Sequence, residues 1–216
     1  MESSRADLDH DGDSDVAISH WGPVRIFENP LRRYLCVPPY PSPTSSRTND
    51  GLWSWYRLPD IDNDGNLDLF ASNYVDFTIE RYQQVALKSF PYPPGPKDFP
   101  PSIDRLYRNR GDGTFSDVTA ASGIDRYPGP TMGVICGDFD DDGDADIFAC
   151  SDAAPNQFFV NDGKGQFTDM ALGAGLAFDV AGNVNGSMGV DAADFDRDGH
   201  VDFPDHQLHR TDSGAL

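Results

Sequence analysis

The stretch DFDDDGDADIF, Asp138 to Phe148, places six carboxylates within nine residues and then ends on an apolar pair, Ile147 and Phe148. Like charges a few ångströms apart repel one another and resist ionising together. A folding chain that gathers them beside a hydrophobic strand implies a positive partner among them. The same pattern occurs four times: DLDHDGDSD from Asp7, DIDNDGNLD from Asp60, DFDDDGDAD from Asp138 and DFDRDGHVD from Asp194. Every copy reads D-x-D-x-D-G-x-x-D without a gap, which marks an internal repeat rather than a chance acidic run.

Other segments recur in step. NRGDGTFSDV from Asn109 and NDGKGQFTDM from Asn161 lie 52 residues apart, and the MGV stretches from Met132 and Met188 lie 56 apart. Within a unit the order is a short strand, the acidic loop, a strand such as LDLFASN or ADIFACS, a strand such as RLYRN or QFFVN, a G-x-G turn, and a fourth strand such as TFSDV or QFTDM. Glycine-rich turns between such runs signal hairpins, and four strands per repeated unit describe a propeller blade. The predicted fold is all-β, a partial β-propeller of four-stranded blades.

This period divides the single incomplete repeat domain, 1–216, into a partial, degenerate repeat at 1–59, a repeat at 60–131, a complete repeat at 132–187 and a truncated repeat at 188–216. Asp60 to Asn109 spans 49 residues where Asp138 to Asn161 spans 23, so about 26 residues are inserted at 76–102. The insert contains FPYPPGPKDFPP and predicts an extended surface loop. Asn29 to Asp60 lacks the expected Gly-rich hairpin, and Trp53 and Trp55 there read as strand or core residues. The chain reads as a fragment of a longer propeller, with open blade edges.

Of the 36 acidic residues, 19 lie in the four loops, so most of the formal net charge of −20 is local. That field repels phosphate backbones and attracts cations, which argues against nucleic-acid binding. No run approaches the ~20 apolar residues that span a bilayer, so no membrane insertion is expected. MESSRADLDHDG has none of the character of a signal peptide. The three cysteines are too few for a disulfide framework. Cys136 and Cys150 flank one acidic loop but read as buried strand thiols.

Within each loop, side-chain oxygens at positions 1, 3 and 5, a glycine at 6, a backbone carbonyl at 7 and an acid at 9 surround one cation with hard ligands. The candidate ligands are Asp7, Asp9, Asp11, Asp13 and Asp15; Asp60, Asp62, Asp64, Asn66 and Asp68; Asp138, Asp140, Asp142, Asp144 and Asp146; and Asp194, Asp196, Asp198, His200 and Asp202. Position 7 (Asp13, Asn66, Asp144, His200) contributes its main chain. Calcium accepts six to eight oxygens in irregular geometry, whereas magnesium demands a tight octahedron. Up to four Ca²⁺ sites are therefore predicted. An EF-hand also opens this way but requires Glu at position 12 and flanking helices; here position 12 is Ile18, Ala71, Ala149 or Asp205. Zinc and copper ligation fits poorly without cysteine in the loops.

At these residues the sequence resembles the FG-GAP/VCBS repeat family, whose members form propellers with calcium loops like those of integrin α-chains. DLFASNYVDFT, RLYRNRGDGTFSDVT, PNQFFVNDGKGQFTD and SMGVDAADFDRDG bring it nearer the ASPIC/UnbV, cartilage acidic protein-like subgroup. The resemblance covers most of 60–203 and, more weakly, 5–29. It implies a secreted, periplasmic or cell-surface protein that binds calcium and a protein or glycan partner. Propellers of this family usually have seven blades, more than this length can hold.

Catalytic motifs are missing from the sequence: there is no G-x-S-x-G elbow, P-loop, H-E-x-x-H or paired CxxC. His206 and His209 form an isolated HxxH, and Asn185-Gly-Ser is a sequon of low specificity. The expected function is a non-catalytic binding or adhesion module. The alternatives are a calcium-stabilised accessory domain of a larger secreted enzyme, and an enzyme that uses one of the acidic loops.

Overall fold

A computed structural model describes residues 2–9, 11–20, 22–27, 34–36, 53–89 and 92–203. Among the described residues, twelve strands form three antiparallel four-stranded sheets, each in simple chain order. The first contains β1 (Glu2–Ala6), β2 (Asp15–His20), β3 (Gly22–Phe27) and β4 (Tyr34–Cys36). The second contains β5 (Trp53–Arg57), β6 (Leu69–Asn73), β7 (Arg105–Asn109) and β8 (Phe115–Asp117). The third contains β9 (Thr131–Gly137), β10 (Asp146–Ser151), β11 (Gln157–Asn161) and β12 (Phe167–Asp169). The architecture is the predicted all-β partial propeller.

Face-to-face packing follows from the period-two alternation of strand side chains. Leu69, Ala71 and Tyr107 join Ala17, Ile26 and Tyr56 between the first and second sheets. Phe70 and Leu106, on the opposite face of the second sheet, meet Val134, Ile147, Ala149 and Phe159 of the third. Phe148, Cys150 and Phe158 face outward from the third sheet and are covered by Phe139, Ala177 and Phe203. The middle strands are buried on both faces, as the continuous burial of β6 and β10 shows. That explains why LFAS and DIFACS do not alternate with polar residues. Polar contacts tie the same interfaces: the Tyr56 hydroxyl donates to the Ala17 carbonyl at 2.6 Å, and the Tyr74 hydroxyl to Asp152 at 2.6 Å.

The insert at 76–102 differs from the expected extended loop. Ile79–Ser89 forms a helix, α1, and Pro96–Asp98 a turn of 3₁₀ helix. The helical segment IERYQQVALKS contains neither glycine nor proline, carries Glu80 in its first turn and Lys88 in its last, and so suits the helix dipole. Thr78 caps it by accepting a hydrogen bond from the Arg81 amide at 3.0 Å. The prolines follow the helix, and their density hid it.

Cys136 lies opposite Ile147 in the β9–β10 ladder, whereas Cys150 lies opposite Gly133. The two thiols pack into different clusters, on opposite faces of the third sheet, and the Cys150 thiol donates to the Gly189 carbonyl at 3.9 Å. Trp53 and Trp55 lie on β5, in line with a strand role. The expected irregularity at Asn29–Asp60 falls largely on 28–33 and 37–52, and the HxxH of His206 and His209 falls on 204–216; both lie outside the described residues.

Candidate metal centre

Each acidic loop joins the first strand of a sheet to the second, or occupies the equivalent place at Asp194–Asp202. Position 6 requires a left-handed backbone: φ is +90° at Gly12, +88° at Gly65, +92° at Gly143 and +95° at Gly199. Only glycine adopts that region without a Cβ penalty. Position 4 is also left-handed at Asn63, Asp141 and Arg197. These turns aim main-chain amides inward at the first carboxylate. The Gly12, Gly65, Gly143 and Gly199 amides donate to Asp7, Asp60, Asp138 and Asp194 at 3.1, 2.9, 3.0 and 3.1 Å.

Position 9 anchors the loop to the core. Asp15, Asp68 and Asp146 are fully buried. Each accepts a hydrogen bond from the amide at position 2: Leu8 at 2.8 Å, Ile61 at 2.9 Å and Phe139 at 3.1 Å. Phe195 donates likewise to the half-buried Asp202 at 3.0 Å. The other oxygens of Asp68 and Asp146 accept from the amides of Asn109 and Asn161, at 2.7 and 2.9 Å.

The fold brings positions 1, 3 and 9 together in all four loops. One carboxylate oxygen from each member lies within 4.8 Å of the others in Asp7/Asp9/Asp15, Asp60/Asp62/Asp68, Asp138/Asp140/Asp146 and Asp194/Asp196/Asp202. The position-5 acids lie outside these triads. Asp11, Asp64, Asp142 and Asp198 instead accept from the amides of Asp13, Asn66, Asp144 and His200, at 2.8 to 2.9 Å. Two oxygens make a further demand: Asp7 Oδ1 and Asp62 Oδ1 are buried without a hydrogen-bond partner. Buried polar atoms ordinarily find one, so an oxygen-loving cation fits this donor set.

Electrostatics agree. Burial pushes the Asp68 and Asp146 carboxyls up to about 6, with the loop's other acids adding to the shift. Desolvation also raises Asp62 and Asp140; neighbouring Asp64 and Asp142 push the same way, while Arg108 offsets part of the rise at Asp62. Without a counter-ion these groups resist ionisation; a divalent cation reverses that preference.

Two contact types missed at the sequence level link one loop to the next. Asn109 Nδ2 donates to the Leu8 carbonyl of the first loop at 3.0 Å and to the Leu67 carbonyl of the second at 3.1 Å. Asn161 repeats this with Ile61 at 2.9 Å and Ala145 at 3.1 Å. Each buried asparagine thus ties its own loop to the loop of the preceding sheet. Along the surface, Asn63 at position 4 donates to Asp144 at position 7 of the next loop (2.6 Å), and Asp141 pairs with His200 at 2.6 Å. Recurrence of Asn109 and Asn161 at a fixed offset was the available signal.

Against the FG-GAP-like repeat model, residues 100–149 and 138–203 match. Residues 100–203 carry FG-GAP-like repeats. The matched repeats cover the third sheet, the loops from Asp138 and Asp194, and the end of the second sheet. Cartilage acidic protein 1 from Homo sapiens is 38% identical over 95 residues, and its Xenopus tropicalis counterpart 37%. Those 95 residues are 44% of this chain but 14% of either relative. A solved Agrocybe aegerita lectin, described as recognising non-reducing terminal N-acetylglucosamine, aligns with 85% of this chain and 45% of its own. Its TM-score is 0.41, at 20% identity.

Proposed function

We propose that this FG-GAP repeat module is a calcium-stabilised, non-catalytic binding module that works outside the cytoplasm, with a protein or glycan as partner. The observation that carries the calcium reading is the fourfold triad of positions 1, 3 and 9, with the orphaned buried oxygens of Asp7 and Asp62. The ion would be held by these carboxylates, with the position-5 acids and the position-7 carbonyls as further oxygen donors. Bound calcium supplies fixed positive charge, and the loop residues do the rest: glycine turns aim amides at position 1, and position 9 pins the loop to the strand.

The ion's role is structural. With free calcium a hundredfold above Kd, each site adds about 2.7 kcal/mol, a large share of the ~5–15 kcal/mol that stabilises a domain.

Melting followed by tryptophan fluorescence in EDTA, millimolar Ca²⁺ and millimolar Mg²⁺ tests the ion. A rise in Tm specific to calcium is expected; identical Tm values in all three would overturn the reading. Calorimetry of Asp142→Ala and Asp140→Asn should each lose one site, and an unchanged count would remove that loop from the assignment. Crosslinking or glycan-array capture that is lost in EDTA tests the partner.

A further inference from the structure

The second loop has a basic neighbour that the repeat does not predict. Arg108, on β7, forms an ion pair with Asp62 and lies 3.4 Å from Asp64 through the same Nη2 atom. Asp62 and Asp64 are positions 3 and 5 of the loop. Val160 occupies the equivalent place on β11: Arg108 pairs with Ser116, and Val160 with Thr168, each one residue before the latching asparagine. The second loop also holds fewer acids, since Asn63 and Asn66 stand where the third has Asp141 and Asp144.

We propose that Arg108 is a tethered counter-cation that competes with calcium for Asp62, making the second loop a weaker and more exchangeable site than the third. This rests on the calcium reading given above. The chemistry is direct: one Asp62 oxygen is taken by the guanidinium while the other is buried and unpartnered. Arg108 is exposed enough to swing aside, and its side chain offsets one of the loop's four carboxylate charges when calcium is scarce. Calcium affinity in oxygen loops is tuned by the charge of the ligand set. Because Arg108 is about half exposed, screening is close to that of bulk water, and there a unit charge about 5 Å from a divalent ion alters affinity by roughly ten- to a hundredfold. The third loop then fills first as calcium rises, and the second follows.

The test is calorimetric calcium titration of the EDTA-stripped full chain as wild type, Arg108→Val, Arg108→Val with Asp62→Asn, and Val160→Arg. Arg108→Val should keep the wild-type number of sites and tighten one about ten- to a hundredfold. It should also lower Tm in EDTA, because Asp62 and Asp64 lose their counter-charge. Adding Asp62→Asn should abolish the gain, and Val160→Arg should weaken one site by a similar factor. High salt should shrink each change. Constants for Arg108→Val within threefold of wild type, or loss of a site, overturn the proposal. The Val160→Arg result stands even if Arg108→Val fails to fold: an unweakened site there overturns it too. A wild-type chain that takes up no calcium instead overturns the underlying calcium reading, and this proposal with it.

Discussion

Asn161→Ala removes a side chain that serves four main-chain groups at once. Its Nδ2 donates to the carbonyls of Ile61 and Ala145, at 2.9 and 3.1 Å, and its Oδ1 accepts from the amides of Gly163 and Gly165, at 3.2 and 3.1 Å. The residue is 3% exposed, so little water reaches the groups left behind. A typical hydrogen bond contributes about 0.5–1.5 kcal/mol, and an unsatisfied buried group costs about 1–3 kcal/mol. With partial relaxation of the glycine turn, the expected loss is about 3–5 kcal/mol, at the upper end for a single substitution. For a chain of this size that lowers Tm by roughly 6–20 °C. Urea unfolding at saturating calcium measures it, with Asn63→Ala as a surface comparison expected to cost under ~1 kcal/mol. A loss below ~1 kcal/mol for Asn161→Ala would refute the latch.

Gly143→Ala should cost about 1–2 kcal/mol, measured by denaturant unfolding, because φ is +92° while no atom lies within 4 Å of the added methyl. Gly143→Asn should cost less, and equal losses would show that strain is not the cause. Burial pushes the Asp104 carboxyl up to about 7. Its folded value therefore exceeds the ordinary 3.8, so the native state binds the extra proton and stability falls as pH rises from about 4 to about 7. Asp104→Asn should flatten that slope, by at most about 1.4 kcal/mol per pH unit; the third sheet already uses Asn156 there, accepting from Ser151 as Asp104 accepts from Asn73. An unchanged stability profile would count against it. Burial pushes the Cys136 thiol up to about 12, and Cys150 is buried, so both should resist a disulfide reagent at pH 8 until unfolding; rapid labelling of the native chain would contradict this.

The loops and strand order were legible in the sequence because their physics is local. Carboxylates at alternate positions, a glycine that must turn left-handed at position 6, and apolar runs just after position 9 all fall within about a dozen residues. The G-x-G hairpins are local for the same reason. Asn109 and Asn161 were visible as repeated letters, but their partners Leu8 and Ile61 lie 101 and 100 residues away, and no local pattern specifies such a contact. Arg108 was ordinary in sequence; only the sheet register brings it beside Asp62. Helix α1 is not legible in the sequence because the prolines that follow it dominate the insert's composition, although its own eleven residues contain none.

The asparagine latch runs head to tail: the second and third sheets each give a side chain to the loop of the sheet before, and the second sheet also offers its own loop to the sheet after it. A duplication or deletion of one whole period therefore joins surfaces that already match, wherever in the period the break falls. A gain or loss of part of a period leaves an asparagine without its carbonyl, or a loop without its asparagine. Such a chain can change its number of blades through evolution without inventing a new interface, while the spacing inside each blade stays under strict control.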